Sequence, residues 1–159
     1  MNLDDVLKYG HQTVMNSING LDEADCQVAG VCGFWSVRDI LAHLSSHELA
    51  LLDVMNTFLG KAPTPTLDNY LAQGYTFNDL EVDKRKGMGY AEILHEYESA
   101  QAQVRELAAR IPLEQRRQAG TLPWYGAEYD LEDLVAYSNY GHKREHCAQI
   151  AVYRDTLSR

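Results

Sequence analysis

Four stretches of this chain space apolar residues at intervals of three and four, and in two of them histidines break the apolar stripe near its middle. Such intervals follow the turn of an α-helix, so each stretch presents one apolar face. The first runs from Asn2, a good N-cap, to about Gly20, with Leu3, Val6, Leu7, Val14 and Ile18 on the face and His11 in line with them. The second opens at Ser36, where Asp39 three residues on makes a weak capping box. It carries Val37, Ile40, Leu41, Leu44, Leu51, Met55 and Phe58 to a stop before Gly60. The third spans about Tyr90 to Arg110 through Ile93, Leu94, Tyr97, Val104 and Leu107, and Pro112 ends it. The fourth opens at Asp130, again with an acidic residue, Asp133, three positions on, and carries Leu131, Leu134, Val135, Ile150, Val152, Tyr153 and Leu157.

No strand-like alternation and no internal repeat competes with this reading. Residues 21–34, rich in Gly, Asp and Cys, read as a loop with room for one short turn. The span from Lys61 to about Met88, with Pro63 and Pro65, reads as a long connection holding a short helix around Asp79–Lys86. A link of that length implies a crossover rather than a tight hairpin. Residues 112–129 form another irregular link. The expectation is an all-α fold: one domain over residues 1–159, a four-helix bundle with a long connection between the second and third helices.

Charge narrows the function. Acidic residues outnumber basic ones 23 to 14, for a net charge of −9. A nucleic-acid partner calls for a basic stripe, and the densest cationic runs, Lys84–Lys86 and Arg116–Arg117, are too short to make one. The same balance disfavours anionic membrane surfaces, and no apolar run approaches the length of a membrane span. Three cysteines, Cys26, Cys32 and Cys147, give no disulfide framework, and the acidic start Met1-Asn2-Leu3-Asp4-Asp5 is unlike a secretory signal. A reducing cytoplasm is expected.

The histidines carry the chemistry. On the fourth helix, steps of three and four from Val135 lead through Ser138, His142, His146 and Gln149, a polar band inside a core stripe. Buried polar groups cost about 1–3 kcal/mol each when left unpaired, so such a band needs partners. The second helix has a matching interruption at His43 and His47, and the two point to one shared interior site. Residues four apart on a helix have Cβ atoms roughly 5–6 Å apart, so His142 and His146 can both reach one ion, with His43 as the third nitrogen from the facing helix. Three neutral imidazoles with an open position suit Zn²⁺, Ni²⁺ or another first-row ion, which would lower the pKa of whatever it binds there. His47 is a candidate fourth ligand, supporting partner or general base, and Glu145 a candidate for proton transfer; each also reads as an ordinary helix residue. His142-Lys143-Arg144-Glu145-His146 matches the inverted zinc-peptidase pattern H-x-x-E-H, but no glutamate comes after it to complete that ligand set.

Trp35-Ser36-Val37-Arg38-Asp39-Ile40-Leu41-Ala42-His43-Leu44 resembles the second-helix signature of the DinB/YfiT-like superfamily, and Tyr140-Gly141-His142-Lys143-Arg144-Glu145-His146-Cys147-Ala148-Gln149-Ile150 resembles its last-helix signature. The likeness extends in helix order along the chain, with Asn78 shortly before the third helix. It implies a four-helix bundle, often a homodimer, with His43, His142 and His146 as a three-histidine site for zinc or nickel. It also implies a small-molecule substrate, as in thiol S-transferases that use a low-molecular-weight thiol and in a thiol-dependent maleylpyruvate isomerase. The segment His47-Glu48 is similar to a toxin-resistance branch thought to work by hydrolysis without an obvious metal, so a metal-free binding or resistance protein, or a non-catalytic dimer with a vestigial site, is an alternative reading.

The remaining candidates read more plainly. His11 faces the same interior or is a satisfied core histidine, and His95 is a surface residue. Cys147 is turned from the ligand face and reads as a packed small residue. Trp124 and Tyr125 stand where they could line a substrate mouth or cover the bundle end.

Overall fold

The three strongest helix starts are all written within four residues of sequence. In the computed structural model, which describes residues 2–157, α1 (Leu3–Ile18) begins at Asn2, whose Oδ1 accepts the amides of Asp4 and Asp5 at 3.1 and 3.4 Å. Before α3 (Val37–Phe58), Ser36 Oγ accepts the Asp39 amide at 3.1 Å while Asp39 Oδ2 accepts the Ser36 amide at 3.0 Å. Asp130 and Asp133 exchange the same pair of bonds, at 2.9 and 3.1 Å, where the last long helix begins. Each cap satisfies amides that the first helical turn leaves without partners. Between α1 and α3, the loop contains one short helical turn, α2 (Glu23–Cys26).

The span between α3 and α6 (Tyr90–Arg110) holds two helices, α4 (Pro65–Gln73) and α5 (Thr76–Lys84), where a single short helix around Asp79–Lys86 is expected from the sequence. Thr64 provides no side-chain cap for α4. The carboxylate of Asp53, from α3, accepts the Thr66 and Leu67 amides at 2.7 and 3.0 Å instead and lends the helix start a negative charge. A cap supplied from another helix leaves no trace in the local sequence, which is why the local pattern does not announce α4.

Two apolar clusters fill the interior. One joins Leu3 and Leu7 of α1 to Leu51, Val54 and Met55 of α3, Val104 and Leu107 of α6, and Leu131, Leu134 and Val135 of the last helix. The other joins Val14 and Ile18 to Ile40, Leu41 and Leu44, to Ile93 and Tyr97, and to Cys147 and Ile150. Early halves of α3 and α6 thus pack together, as do their late halves, so the two run parallel; α1 and the last helix form a second parallel pair running the opposite way. A parallel neighbour cannot be reached by a tight turn, and α4 and α5 bring the chain back along the bundle. Arg38, at the start of α3, fastens their end: its Nη2 donates to the carbonyls of Arg85, Lys86 and Met88 at 2.5, 3.1 and 2.6 Å. A further single helical turn, α7 (Leu113–Arg116), comes after α6. Among the described residues, no helix is long and apolar enough to cross a membrane.

The last long helix is not uniform. It starts as α8 (Leu131–Asp133), widens into a π-helical stretch over Leu134–Tyr140 and resumes as α9 (Gly141–Thr156). The Gly141 amide donates to the carbonyl of Ala136, five residues back. Such a wide turn lodges an extra residue and rotates the helix beyond it. The inward position therefore moves from Ser138, which is exposed, to Asn139, which is buried, and Lys143 becomes one of the most deeply buried residues of the protein. Gly10 of α1 packs against this stretch: a Cβ there would lie 3.3 Å from the Tyr140 ring, a tight approach, and 3.4 Å from the Lys143 side chain, an ordinary contact.

Candidate metal centre

Between the two apolar clusters lies a polar layer, and four of its side chains are imidazoles: His43 and His47 from α3, His142 and His146 from α9. One turn of α3 separates the first two and one turn of α9 the second two, so each helix offers a pair on one face. His43 Nε2 lies 2.8 Å from His142 Nε2, and His142 Nε2 lies 3.0 Å from His146 Nε2. Ring nitrogens of His43, His47 and His142 also all fall within 4.8 Å of one another, a spacing that allows them to hold one ion. His43 and His146 are buried, and His47 and His142 are half-buried.

The outer nitrogens fix the tautomers of two rings. His146 Nδ1 is 2.8 Å from Gln149 Oε1, so it carries the proton and leaves the Nε2 lone pair facing inward. His47 Nε2 is 3.0 Å from Asn78 Oδ1 and likewise carries its proton, leaving Nδ1 as the free base. Trp35 packs against His43 with ring centroids 4.8 Å apart and covers that side.

Proton bookkeeping exposes a conflict at the centre. The Nε2 of His146 has no proton to give, and that of His142 can aim at most one. Whatever tautomers His43 and His142 adopt, at most one of the two close nitrogen contacts has a well-aimed proton. Adding protons does not relieve the conflict, because burial above all, and the neighbouring imidazoles next, push His142 down to about 3 and His43 lower still. Burial also lowers His47 and His146, against the raising effects of Asn78 and Gln149. Burial thus favours the neutral form of all four imidazoles, and neutral imidazoles are donors that a first-row divalent cation takes. Nitrogens sharing one tetrahedral ion at about 2.0–2.1 Å lie roughly 3.3 Å apart, close to the separations found here.

Glu145 stands on the exposed face of α9, where its charge favours the protonated form of His146. His11 stacks on Tyr97 at 5.7 Å. His95 is exposed and Cys147 buried.

Reading the sequence missed the polar neighbours of this layer. Glu48, one residue after His47, is fully buried and forms an ion pair with Lys143, one residue after His142. Asn139 Nδ2 donates to Glu48 Oε1 at 2.7 Å. A lysine between two histidines looks solvated in the sequence, and only the π-helical turn brings it inward.

A cavity of about 80 Å³ opens beside the layer, bounded by α3, α4, the loop before α8 and the π-helical stretch. His47 and Asn139 lie in its wall with Leu51, Val54, Leu67 and Leu134, and Trp124 and Tyr125 line it as well. His47 thus belongs both to the histidine layer and to the cavity.

No curated protein and no solved structure matches the chain. A family model does, over residues 7–150, a range that takes in all four histidines of the layer and both helix pairs that carry them. This chain belongs to the DinB superfamily.

Proposed function

We propose that His43, His142 and His146 hold one divalent ion, zinc or nickel, and that the protein is a metal-dependent enzyme acting on a small molecule by transfer to a low-molecular-weight thiol or by hydrolysis. The observation that carries this reading is the contact of three Nε2 atoms that protons cannot reconcile. His43, His47 and His142 also bring ring nitrogens within 4.8 Å of one another, but His47 Nε2 is engaged by Asn78, which leaves only its Nδ1 for an ion. His47 therefore takes the proton-transfer role, with Nδ1 receiving a proton from a group in the cavity. Glu145, on the outer face, tunes His146 through its charge alone. When bound, the ion supplies Lewis acidity. Gln149 holds the His146 ring in its ligand tautomer, and Trp35 keeps water from His43. The reading extends to a single-domain homodimer in the reducing cytoplasm, in keeping with the superfamily and with the three free cysteines.

Elemental analysis of protein purified without an affinity metal tests this directly. One zinc or nickel per chain is expected, and His142→Ala should weaken binding by at least about 100-fold while circular dichroism stays helical, a larger loss than outer partners cause. Full metal retention in that variant, or none in the native protein, would overturn the assignment. A metal-free binding protein of the toxin-resistance kind is the second reading, favoured by the largely apolar cavity against His47. Chelators would then change neither ligand affinity nor melting temperature.

A further inference from the structure

We infer that Glu48 sets the rotation of α9. Its carboxylate holds Asn139 and Lys143 on one oxygen, keeps the wide turn of Leu134–Tyr140 in place and so aims His142 and His146 at His43. Glu48, Asn139 and Lys143 are then positioning residues of the histidine site. The inference rests on the proposed function for the ion those rings receive; the hold on the turn stands apart from it.

Two registers compete for this helix. A regular helix continued from Val135 would turn Ser138, His142 and Gln149 inward. The wide turn moves the inward line one residue on: Asn139, Lys143, His146, Cys147 and Ile150 are buried, while Ser138 is exposed. One residue is a rotation of about 100°. Wide turns are rare, so contacts from outside the helix must favour this one. Of the side chains that α9 buries, only Cys147 and Ile150 are apolar, so apolar burial alone does little to choose between the registers.

The polar contacts do choose. Asn139 and Lys143, the polar side chains that the wide turn brings inward, stand one turn apart and end on the same atom, Glu48 Oε1: Asn139 Nδ2 donates to it at 2.7 Å and the Lys143 ammonium pairs with it. In the regular register neither residue lies on the inward line, and the fully buried carboxylate would lose its cation, a strongly unfavourable state. Glu48 follows His47 on α3 and Lys143 follows His142 on α9, so each end of the tie is covalently next to an imidazole of the layer. A metal site tolerates an error of about 10–20° in the aim of its ligands, far less than the rotation between the registers.

The test compares the native protein with Glu48→Leu/Lys143→Met, which removes the tie and strands no charge, by zinc titration, cobalt absorption and amide hydrogen exchange. At a urea midpoint near the native one, the double variant should bind zinc at least about tenfold more weakly and shift the ligand-field bands of bound cobalt. In metal-free protein the Gly141 amide, which donates across the wide turn to Ala136, should exchange at least about tenfold faster. Asn139→Ala, which keeps the ion pair, should move both readouts the same way by about threefold, and it decides the question if the double variant does not fold. Native-like zinc affinity, or native-like exchange at Gly141, overturns the inference. A native protein that takes up no zinc removes the metal reading instead, and Gly141 exchange then decides alone whether Glu48 holds the turn.

Discussion

Two polar groups share the middle of this bundle, one residue apart on both helices: His47 and Glu48 on α3, His142 and Lys143 on α9. The ion pair balances itself. Glu48 and Lys143 cancel in charge, Asn139 adds a donor, and the lysine rests 5.6 Å above the Tyr97 ring. Some atoms there stay unpartnered, Glu48 Oε2 and the Tyr97 hydroxyl among them, but no net charge is stranded. The histidine layer does the reverse: its members are alike, burial disfavours the charged form of each, and at most one of the two close nitrogen contacts has a proton to place in it. A buried polar set that closes on itself needs nothing from outside, whereas one that turns like donors toward a point is compatible with a cation there.

The ion pair is where a single substitution should cost the fold most. Lys143→Met leaves Glu48 buried without a cation and should cost about 3–5 kcal/mol in urea denaturation. Adding Glu48→Leu to it should recover most of that loss. A single variant as mild as the double one would mean that the pair does not balance itself. At the histidine layer, removing an outer partner probes the ion and leaves the fold alone. Gln149→Ala should weaken zinc about 10–100-fold, with stability of the metal-free protein changed by less than about 1 kcal/mol.

Acid provides the finest discrimination. In metal-free protein the unfolded histidines protonate near 6.5, while the folded ones resist, His142 until about 3. Above 6.5 both states are neutral and the layer contributes no pH dependence. As pH falls below 6.5 the unfolded state takes up protons first, so stability declines, by up to about 1.4 kcal/mol per pH unit for each histidine. For His142 the decline ends once the folded ring also protonates, near 3. His142→Gln should flatten the slope between pH 6.5 and 5 by about one histidine's share. An unchanged slope would show that His142 titrates normally in the fold. Saturating zinc should steepen the acid loss, because protons compete for its ligands.

Much of this is legible in the sequence because it is local. The caps at Asn2, Ser36 and Asp130 act within three residues, and the apolar stripes of the long helices need only the helical period. The convergence of His43, His47, His142 and His146 is legible for the same reason, as a polar break in two core stripes. An ideal period places Ser138 on the inward stripe, and a π-helical turn puts Asn139 there instead. No residue type announces that turn, since its wide hydrogen bonds depend on how the neighbouring helices accommodate the extra residue.

Local sequence alone specified an all-helical chain, the starts of its long helices and the residues able to offer imidazole nitrogens, because helical period and capping depend on neighbours a few positions away. Packing of distant segments settled how those nitrogens meet, that Asp53 starts α4 across 13 residues and Arg38 fastens the end of the crossover across 47 to 50, and that Lys143 turns inward to Glu48. The energies of these contacts depend on burial and on mutual orientation, which exist only once the helices have packed.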